Sequence, residues 1–268
     1  MIRVGVFGAA GRMGRQNLKA VHLAKGLHLS AAIEHEGHAR LGENTFPWFS
    51  SDPGSLLLRH DLSSALADCD VVIDFSTPEA TLHLAEEAAS RGVALVIGTT
   101  GLKESGREAL QRAAQKIPVV FSGNYSLGVN VLLALVRQAS ALLPGYDIEI
   151  VEHHHNQKKD APSGTALMLG TAAAEGRGQN LQRDLVPGRH GDVGPRQPLE
   201  IGMHAVRGGG IVGYHEVFLA GPDETVRLSH QAQSREAFTS GVVRAAAWVH
   251  QKKAGLYDMS HVLGLTDC

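Results

Sequence analysis

"GVFGAAGRMGRQ", residues 5–16, joins a short apolar run to a stretch with helical spacing. The run, Ile2–Phe7, is typical of a buried β-strand, and glycines occupy positions 8, 11 and 14 of the turn that follows. Glycine permits a tight turn and lets backbone N–H groups approach an anion at the start of a helix. The stretch therefore predicts a strand, a turn and a helix that bind the pyrophosphate of a dinucleotide.

The glycine spacing is one residue longer at the front than the usual G-x-G-x-x-G pattern, and a purely structural turn is the alternative. Glu34 decides between the two interpretations. It ends a second predicted strand, 27–33, and lies about twenty residues beyond Gly14, where a carboxylate accepts hydrogen bonds from an adenosine ribose. The combination favours a dinucleotide site.

Apolar runs and helical patterns go on alternating through the first half of the chain. Further strands are predicted at 70–76, 93–101 and 118–124, and helices at 77–92, with Thr77 as cap and Gly92 as stop, and at about 103–116. Strands separated by helices imply a parallel sheet that is covered on both faces. We therefore expect an α/β fold with an N-terminal Rossmann-type, doubly wound parallel sheet.

Three polar segments leave the last three of these strands. They are DFST (74–77), GTTG (98–101) and SGNYS (122–126). Each alone is compatible with an ordinary loop. Ligands of such sheets bind beyond the carboxyl ends of the strands, so the three together predict the floor of the nucleotide site, with Phe75 and Tyr125 offering aromatic edges.

The second half has a different pattern and predicts a smaller α+β domain with a mainly antiparallel or mixed sheet. Its expected elements are a helix at about 129–143, a half-exposed strand at 146–152, a helix at 165–176 with Pro162 near its first turn, a long loop at 176–198, a meander of three strands within 199–232 and a capped helix from near Ser234. The exposed faces of these strands suit packing against another subunit, so we expect a homo-oligomer.

"VEHHHNQKKDAPSGTA", residues 151–166, gathers histidines, lysines and acids before a predicted helix start. Adjacent histidines alternate sides on an extended chain and zinc spacings are absent, which argues against a metal site. The lysines are offset by acids and aromatic residues are few, which argues against nucleic acid. For His153, Asn156, Gln157 and Lys159 individually, a solvated loop is the default interpretation.

Acid–base chemistry uses this stretch best. Histidine exchanges protons near neutral pH, and lysine offers a positive charge to an anionic substrate. The segment PSGT opens a helix whose free N–H groups bind carboxylates, where Gly164 allows close approach and Thr165 adds a hydroxyl. The stretch therefore predicts a pocket for a small anion beside a proton donor.

The composition excludes several classes of protein. Hydrophobic residues make up 43% of 268 residues, which is enough for ordinary cores, and a net charge of −2 does not suggest a nucleic-acid partner. The apolar runs are far shorter than the roughly 18 residues of a membrane span. Cys69 and Cys268 do not suggest a disulfide framework. We therefore expect a cytoplasmic protein without a membrane or nucleic-acid partner.

Six segments of the chain together resemble one enzyme family, the bacterial dihydrodipicolinate reductases. They are GAAGRMG (8–14), DFSTPEAT (74–81), GTTG (98–101), EHHHNQKKDAPSGTA (152–166), RGGGIVGYHEV (207–217) and GLYDMSHVLGL (255–265). The resemblance runs from end to end, and the fourth segment carries a signature specific to that family. It implies reduction of 4-hydroxy-tetrahydrodipicolinate, a small cyclic dicarboxylate of diaminopimelate and lysine biosynthesis, to tetrahydrodipicolinate by NADH or NADPH. It also implies a homotetramer.

The resemblance implies roles for individual residues. His154 would be the proton donor or acceptor and Lys158 the second proton donor, while His155, Gly164 and Thr165 would bind the substrate. The implied cofactor-binding residues are Gly8, Ala9, Ala10, Gly11, Arg12, Met13, Glu34, Gly98, Thr99, Thr100, Ser122, Gly123, Asn124 and Tyr125. No residue is assigned to a metal.

The family's C-terminal segment returns to the nucleotide domain. We therefore expect a dinucleotide-binding domain over residues 1–126 and 236–268, and a substrate-binding and oligomerisation domain over 127–235. Some members carry arginine after the ribose-binding acid, where it can meet a 2′-phosphate, whereas here His35 follows Glu34. A neutral histidine is a weaker phosphate partner, so we predict that NADH is used at least as well as NADPH.

Two other functions remain compatible with the same residues. A dehydrogenase of this two-domain plan could act on another substrate, such as an aldehyde or a sugar acid. A non-enzymatic NAD(H)-binding regulator would bind nucleotide and turn nothing over. The regulator would have no need for His154 and Lys158 beside an anion-binding helix start.

Overall fold

The structure, a computed structural model, describes residues 1–51, 53–234 and 236–265. The chain divides into two compact units. The first unit comprises Met1–Tyr125 and Phe238–Gly264, and the second comprises Ser126–Ala237. The chain therefore leaves the first unit once and returns to it near its C-terminus.

The first unit is built on a seven-stranded parallel sheet. With elements numbered along the chain, its strands are β1 (Ile2–Phe7), β2 (Leu27–Ile33), β3 (Leu58–Arg59), β4 (Val71–Asp74), β5 (Ala94–Ile97), β6 (Pro118–Phe121) and β12 (Gly255–Tyr257), and its helices are α1 (Arg12–Leu23), α2 (Leu62–Ala67), α3 (Pro78–Arg91), α4 (Glu104–Ala114) and α9 (Met259–Leu263). The strand order is β12-β6-β5-β4-β1-β2-β3, and neighbouring strands pair in parallel. The expectation of a Rossmann-type, doubly wound sheet is confirmed.

Local patterns located these elements well. All residues of β4 and β5 are buried, as expected of strands with helices on both faces. The Thr77 side chain caps α3 by accepting from the amide of Ala80, and Gly92 ends the helix with φ +73°. Capping and a left-handed stop are properties of single residues, so the sequence reveals them directly.

The stretch between β2 and β4 contains short elements that were not predicted. A 3-10 helix spans Phe46–Trp48, β3 has two residues, and α2 starts at an Asp61 cap that accepts from the amide of Ser64. Elements of two to six residues give too little periodicity to stand out from a loop.

The second unit packs helices against a five-stranded sheet. Its strands are β7 (Asp147–His154), β8 (Leu185–Pro187), β9 (Ile201–Arg207), β10 (Tyr214–Ala220) and β11 (Thr225–Gln231), and its helices are α5 (Leu127–Leu142), α6 (Gly164–Gly176) and α7 (Leu181–Asp184); α8 (Glu236–Val249) follows β11 and leads back to the first unit. The order is β11-β10-β7-β9-β8, with β9 parallel to β7 and β10 antiparallel to it. The expected α+β unit with a mixed sheet is confirmed.

The predicted meander of three successive strands is only partly right: β10 and β11 pair as antiparallel neighbours, but β9 does not pair with β10. β7 lies between β9 and β10, so those two strands flank β7 and do not pair with each other. The glycine-rich segment between them crosses the end of β7, where the amide of Gly208 donates to the carbonyl of His154 and the amide of Asn156 donates to Gly209. A turn signal shows where a chain bends, but it does not show which strand the chain meets next.

The predicted long loop at 176–198 is also partly wrong. It contains α7, which the Asn180 side chain caps, and β8, which pairs in parallel with β9. Arg189 and Arg196 then tie the remaining loop to the sheet by hydrogen bonds to the carboxylate of Glu149. Because the segment is rich in glycine, arginine and proline, its composition indicated a loop and did not indicate either short element.

The alternation of β7 gives its two faces different roles. Ile148, Ile150 and Glu152 are buried, and the two isoleucines belong to the core that contains residues of α5 and α6. Glu149, Val151 and His153 lie on the opposite face. The buried face of β7 therefore carries the carboxylate of Glu152 as well as two apolar core side chains.

Cys69 is buried and its thiol is free. Cys268, the other cysteine of the sequence prediction, lies with the rest of 266–268 outside the described residues. Within the described parts of the chain, the helices are too short or too polar to span a bilayer.

Candidate active site

The glycine-rich turn lies between β1 and α1. Gly8 has φ +72°, a conformation that side chains rarely adopt, and a Cβ at Gly14 would overlap the carbonyl oxygen of Gly8. Within the described residues, α1 begins at Gly11 without a side-chain cap and without an acid in its first turn. The first amides of α1 are therefore suited to an anion such as a pyrophosphate.

The structure brings Glu34 to this turn. Its Oε2 atom accepts a hydrogen bond from the amide of Ala10 at 3.1 Å, and its Oε1 atom accepts from the amide of His35 at 3.3 Å. The His35 ring contacts the carbonyl of Glu36 through Nδ1 at 2.8 Å. The acid thus lies beside the glycine turn, the geometry that the sequence predicted for a ribose partner.

Asp74, at the end of β4, organises the next two loops. Its fully buried carboxylate accepts from the amide and hydroxyl of Ser76, at 2.9 and 2.6 Å, and from the hydroxyl of Thr81. The amide of Ser76 also donates to the hydroxyl of Thr99 at 3.1 Å. Burial raises the pKa of Asp74, and its uncharged donors only partly oppose this. The role of Asp74 was not predicted, although a carboxylate at the end of a buried strand was a signal for it.

Tyr125 differs from the expectation that it and Phe75 both offer aromatic edges to a ligand. Tyr125 is buried, and its hydroxyl donates to the carbonyls of Ile97 and Val120 at 2.8 and 3.2 Å. Its ring lies 5.7 Å from that of Phe75, and a Cβ at Gly98 would overlap the Phe75 ring. Tyr125 therefore supports Phe75 from the core.

The remaining predicted cofactor residues lie on the turn after β1 and on the loops after β5 and β6. Gly11, Arg12, Thr100 and Gly123 are exposed; Ala10, Met13 and Gly98 are half-buried; Gly8, Ala9, Thr99, Ser122 and Asn124 are buried. Because parallel strands end at one edge of a sheet, these segments share one edge.

The second unit collects its polar residues around Glu152. This carboxylate is fully buried and accepts from four N–H groups: two of Arg207 at 2.7 and 2.8 Å, Nδ1 of His154 at 2.6 Å and the amide of Ser163 at 3.0 Å. Burial alone would raise the pKa of Glu152, but the hydrogen bonds from Arg207 and His154 hold it below its ordinary value. Sequence reasoning assigned no role to Glu152 or Arg207.

His154 and Lys158 both occur in this region. The His154 side chain is 12% exposed, and burial lowers its pKa against the opposing effect of Glu152. The ammonium of Lys158 contacts both carboxylate oxygens of Asp160 at 2.9 Å, and its amide donates to the carbonyl of His155 at 3.2 Å. β7 therefore ends at an imidazole, and the turn that follows carries an ammonium whose charge acts on that imidazole.

Ser163 caps helix α6, because its hydroxyl accepts from the amide of Ala166 at 3.2 Å. Pro162 directly precedes the cap, close to the first turn of the helix, as predicted. A Cβ at Gly164 would meet no atom within 4 Å among the described residues, and Thr165 is half-buried. The helix start is thus capped on one side and open at Gly164.

His215 was also missed. It pairs with Glu152 across β7 and β10, is 4% exposed, and lies 3.0 Å through Nε2 from the Ser163 hydroxyl. Its ring centroid is 5.2 Å from that of His154, and burial lowers its pKa to about 4. The alternation in YHEVFL, which turns Val217 and Leu219 inward, was the signal that could have placed it on the buried face.

The neighbouring histidine and polar residues lie apart from this cluster. His153 is on the opposite face of the sheet, with its ring 5.1 Å from that of Tyr214, and Asn156, Gln157 and Lys159 are exposed. In the part of the chain that the structure describes, no group of three histidine, cysteine or acidic side chains could hold a metal ion.

Two family models match the chain. The N-terminal model of dihydrodipicolinate reductase matches residues 2–125, and the C-terminal model matches residues 128–263. Together they cover both units, and the boundary between them falls within three residues of the division at Tyr125 and Ser126.

Individual relatives agree with these models. The 4-hydroxy-tetrahydrodipicolinate reductase of Anaeromyxobacter dehalogenans is 48% identical over 266 residues, 99% of this chain and 98% of the relative. The Caulobacter vibrioides enzyme of the same name is 48% identical over 98% of this chain and 97% of its own. A dipicolinate-bound dihydrodipicolinate reductase from Paenisporosarcina sp. TG-14 is 26% identical, covers 96% of this chain and 97% of its own, and has a TM-score of 0.77. The chain therefore belongs to the dihydrodipicolinate reductase family.

Proposed function

We propose that this chain reduces 4-hydroxy-tetrahydrodipicolinate to tetrahydrodipicolinate with NADH or NADPH, and that the residues around His154 carry out the chemistry. As a member of its family the chain is an oxidoreductase of diaminopimelate and lysine biosynthesis. The observation that carries the site proposal is that the His154 imidazole and the Ser163 amide at the start of α6 share the carboxylate of Glu152, while the charge of Lys158 acts on His154 from the connecting turn.

The first unit is suited to hold the coenzyme, which supplies a hydride. The uncapped amides of α1 would bind the pyrophosphate, and Glu34 would accept from the ribose hydroxyls. Glu34 now accepts from the amide of Ala10, so a bound ribose would compete for that carboxylate. The loop residues Gly98 to Thr100 and Ser122 to Tyr125 complete the proposed cofactor site.

The second unit is suited to hold a dicarboxylate. Lys158 supplies a positive charge, and the amides of Gly164 and Thr165 lie in the first turn of α6, which favours negative charge. His155 lies in the same turn of chain as Lys158 and would assist. The related reductase from Paenisporosarcina was solved with dipicolinate, a planar dicarboxylate, which supports this assignment.

The reaction replaces a ring hydroxyl by hydrogen. One hydride and one proton are consumed, and the hydroxyl leaves as water, so atoms and charge balance. His154 would supply or remove the proton, and Lys158 would be the second donor. Because burial lowers the pKa of His154, its ring favours the neutral form near pH 7, in which one ring nitrogen can accept a proton.

A direct assay tests the proposal. Purified protein is mixed with freshly prepared substrate and NADH, and the oxidation of NADH is followed by absorbance. Turnover that pyridine-2,6-dicarboxylate inhibits competitively supports a dicarboxylate pocket. Turnover of an aldehyde or sugar acid without such inhibition would favour a different dehydrogenase. Nucleotide binding with no turnover of any of these substrates would favour a regulator.

Assembly and location belong to the same proposal. The face of the second sheet that carries Val151 and His153 also carries Val206, which is 43% exposed. We place a homotetramer contact on this face, and light scattering of the purified protein measures the mass. We place the enzyme in the cytoplasm because Cys69 keeps a free thiol. Fractionation of cells expressing a tagged chain tests that placement.

A further inference from the structure

The carboxylate of Glu152 acts only as an acceptor in its hydrogen bonds. Arg207 contacts both of its oxygens, and the amide of Ser163 contacts Oε1. These partners can only donate, and they hold the pKa of Glu152 low after opposing the effect of burial. Glu152 is therefore ionised at neutral pH and can only accept from His154.

This fixes the proton on the imidazole. Nδ1 of His154 lies 2.6 Å from Oε2 of Glu152, so Nδ1 must carry hydrogen. The neutral ring then has its lone pair on Nε2. A Cβ at Gly213 would lie 3.2 Å from Nε2, so glycine at this position keeps a side chain of residue 213 away from that nitrogen.

We propose that Glu152, held in place by Arg207, is a positioning residue that keeps His154 in the Nδ1–H tautomer and presents Nε2 to the reacting ring. The inference rests on the proposed function of His154. In this proposal Glu152 contacts neither the substrate nor the coenzyme, and it acts through His154. Its negative charge also stabilises the imidazolium when Nε2 carries a proton.

The charged and titratable groups around His154 have opposite effects on its pKa. Glu152 raises the pKa of His154, whereas burial and the positive charges of Lys158 and Arg207 lower it. His215 also faces the ring, at 5.2 Å, and its own low pKa leaves it neutral near pH 7. Removing the carboxylate therefore leaves only influences that lower the pKa of His154.

A double-mutant cycle separates positioning from simple structural support. E152Q, H154Q and the double variant are compared with the wild type for kcat and KM, with thermal unfolding and NADH affinity as checks on the fold. E152Q should lower kcat by ~10-fold or more in the wild-type background, with little effect on NADH affinity. In the H154Q background it should change kcat by no more than about twofold, because the residue it acts through is gone.

The pH profile of E152Q supplies a second readout. The limb of the kcat–pH profile that is assigned to His154 should move to lower pH than in the wild type, because the negative charge that stabilises the imidazolium is lost. Two results together would show that Glu152 merely supports the fold. The E152Q change would lower kcat as strongly in the H154Q background as in the wild type, and the limb of the pH profile assigned to His154 would not move.

β7 offers a matched control in Glu149. This carboxylate also accepts from arginines and from a histidine, with Nε2 of His204 at 2.7 Å, but it lies on the opposite face of the sheet. E149Q removes the same charge from the same strand and should leave kcat within about twofold of wild type. An equal loss of kcat in E149Q would overturn the assignment to Glu152.

Two further measurements keep the proposal testable. If E152Q does not fold, E152Q/R207M removes both charges together, leaves no lone buried charge, and should show the same loss of kcat. The ¹⁵N shifts of the His154 ring report its tautomer without any turnover: Nδ1–H is expected in the wild type, and Nε2–H would refute the inference. Failure of the wild type to reduce the substrate would instead refute the proposed function and leave the tautomer result standing.

Discussion

Two buried carboxylates, Asp74 in the first unit and Glu152 in the second, show how differently the two candidate sites are built. Both are fully buried. Asp74 accepts from hydroxyls and an amide, and burial raises its pKa. Glu152 accepts from Arg207 in two places, and its pKa is lowered despite burial. The sign of the shift depends on the charge of the donors.

The same contrast extends to the surrounding residues. The proposed nucleotide site is made of glycine turns, backbone amides and small hydroxyl side chains, with Gly8 and Gly14 required by conformation and packing. The proposed substrate site is made of ionisable side chains, with Glu152 and Arg207 holding His154. A backbone site suits a pyrophosphate that must be bound without reaction, and titratable side chains suit proton transfer.

The largest expected effect concerns the ionisable side chains. H154Q, or K158M, should lower kcat by ~10²-fold or more if these residues act in the transition state, and should leave NADH affinity near that of the wild type. H153Q and K159M are matched controls, because His153 lies on the opposite face and Lys159 is exposed. Steady-state kinetics measures all four. If H154Q kept near-normal turnover and only its KM rose, the chemical role assigned to His154 would be wrong.

Glycine substitutions sharpen the comparison between the units. In G14A the new Cβ overlaps the Gly8 carbonyl, so we expect a loss of about 1–3 kcal/mol in the free energy of unfolding, weaker NADH binding, or both. In G164A the new Cβ meets no described atom within 4 Å, so the fold should be unaffected. If a substrate carboxylate lies over that amide, G164A raises KM alone. Chemical denaturation, coenzyme titration and kinetics separate these outcomes.

A smaller effect concerns coenzyme choice. His35 follows Glu34 and contacts the carbonyl of Glu36, and an imidazole binds a 2′-phosphate more weakly than a guanidinium does. The wild type should therefore show a kcat/KM for NADH at least equal to that for NADPH. H35R should shift the ratio towards NADPH by about tenfold, with E36Q as a neighbouring control. A strong NADPH preference of the wild type would contradict the prediction.

The smallest effect concerns acid stability of the second unit. Burial tends to raise the pKa of Glu149, but hydrogen bonds from Arg189, His204 and Arg196 bring it to about 2. Its unfolded value is about 4.3, so its stabilisation is complete above that pH and is lost as the pH falls towards 2. E149Q should show a weaker dependence of Tm on pH between about 4.5 and 2 than the exposed-site control E104Q. Equal slopes would mean that Glu149 contributes nothing.

Local patterns predicted most of the first unit. The strand positions, the Thr77 cap, the Gly92 stop and the turn at Gly8 depend on dihedral preferences and periodicity within a few residues, although β4, β5 and β6 are each shorter than predicted. The family signature likewise pointed to His154 and Lys158. The short elements at 181–187 and the place of β9 were missed or misassigned, because neither elements of three or four residues nor sheet order has a local signature.

By itself, the sequence determined the alternating strands and helices of the nucleotide unit, the glycine turn, and the residue types available for proton transfer. Only the tertiary structure decided that β7 lies between β9 and β10. That order brings Arg207 from one side and His215 from the other to Glu152. The physical reason is range: turn and cap chemistry acts between near neighbours in the chain, whereas a buried carboxylate receives its donors from whichever strands the fold places beside it.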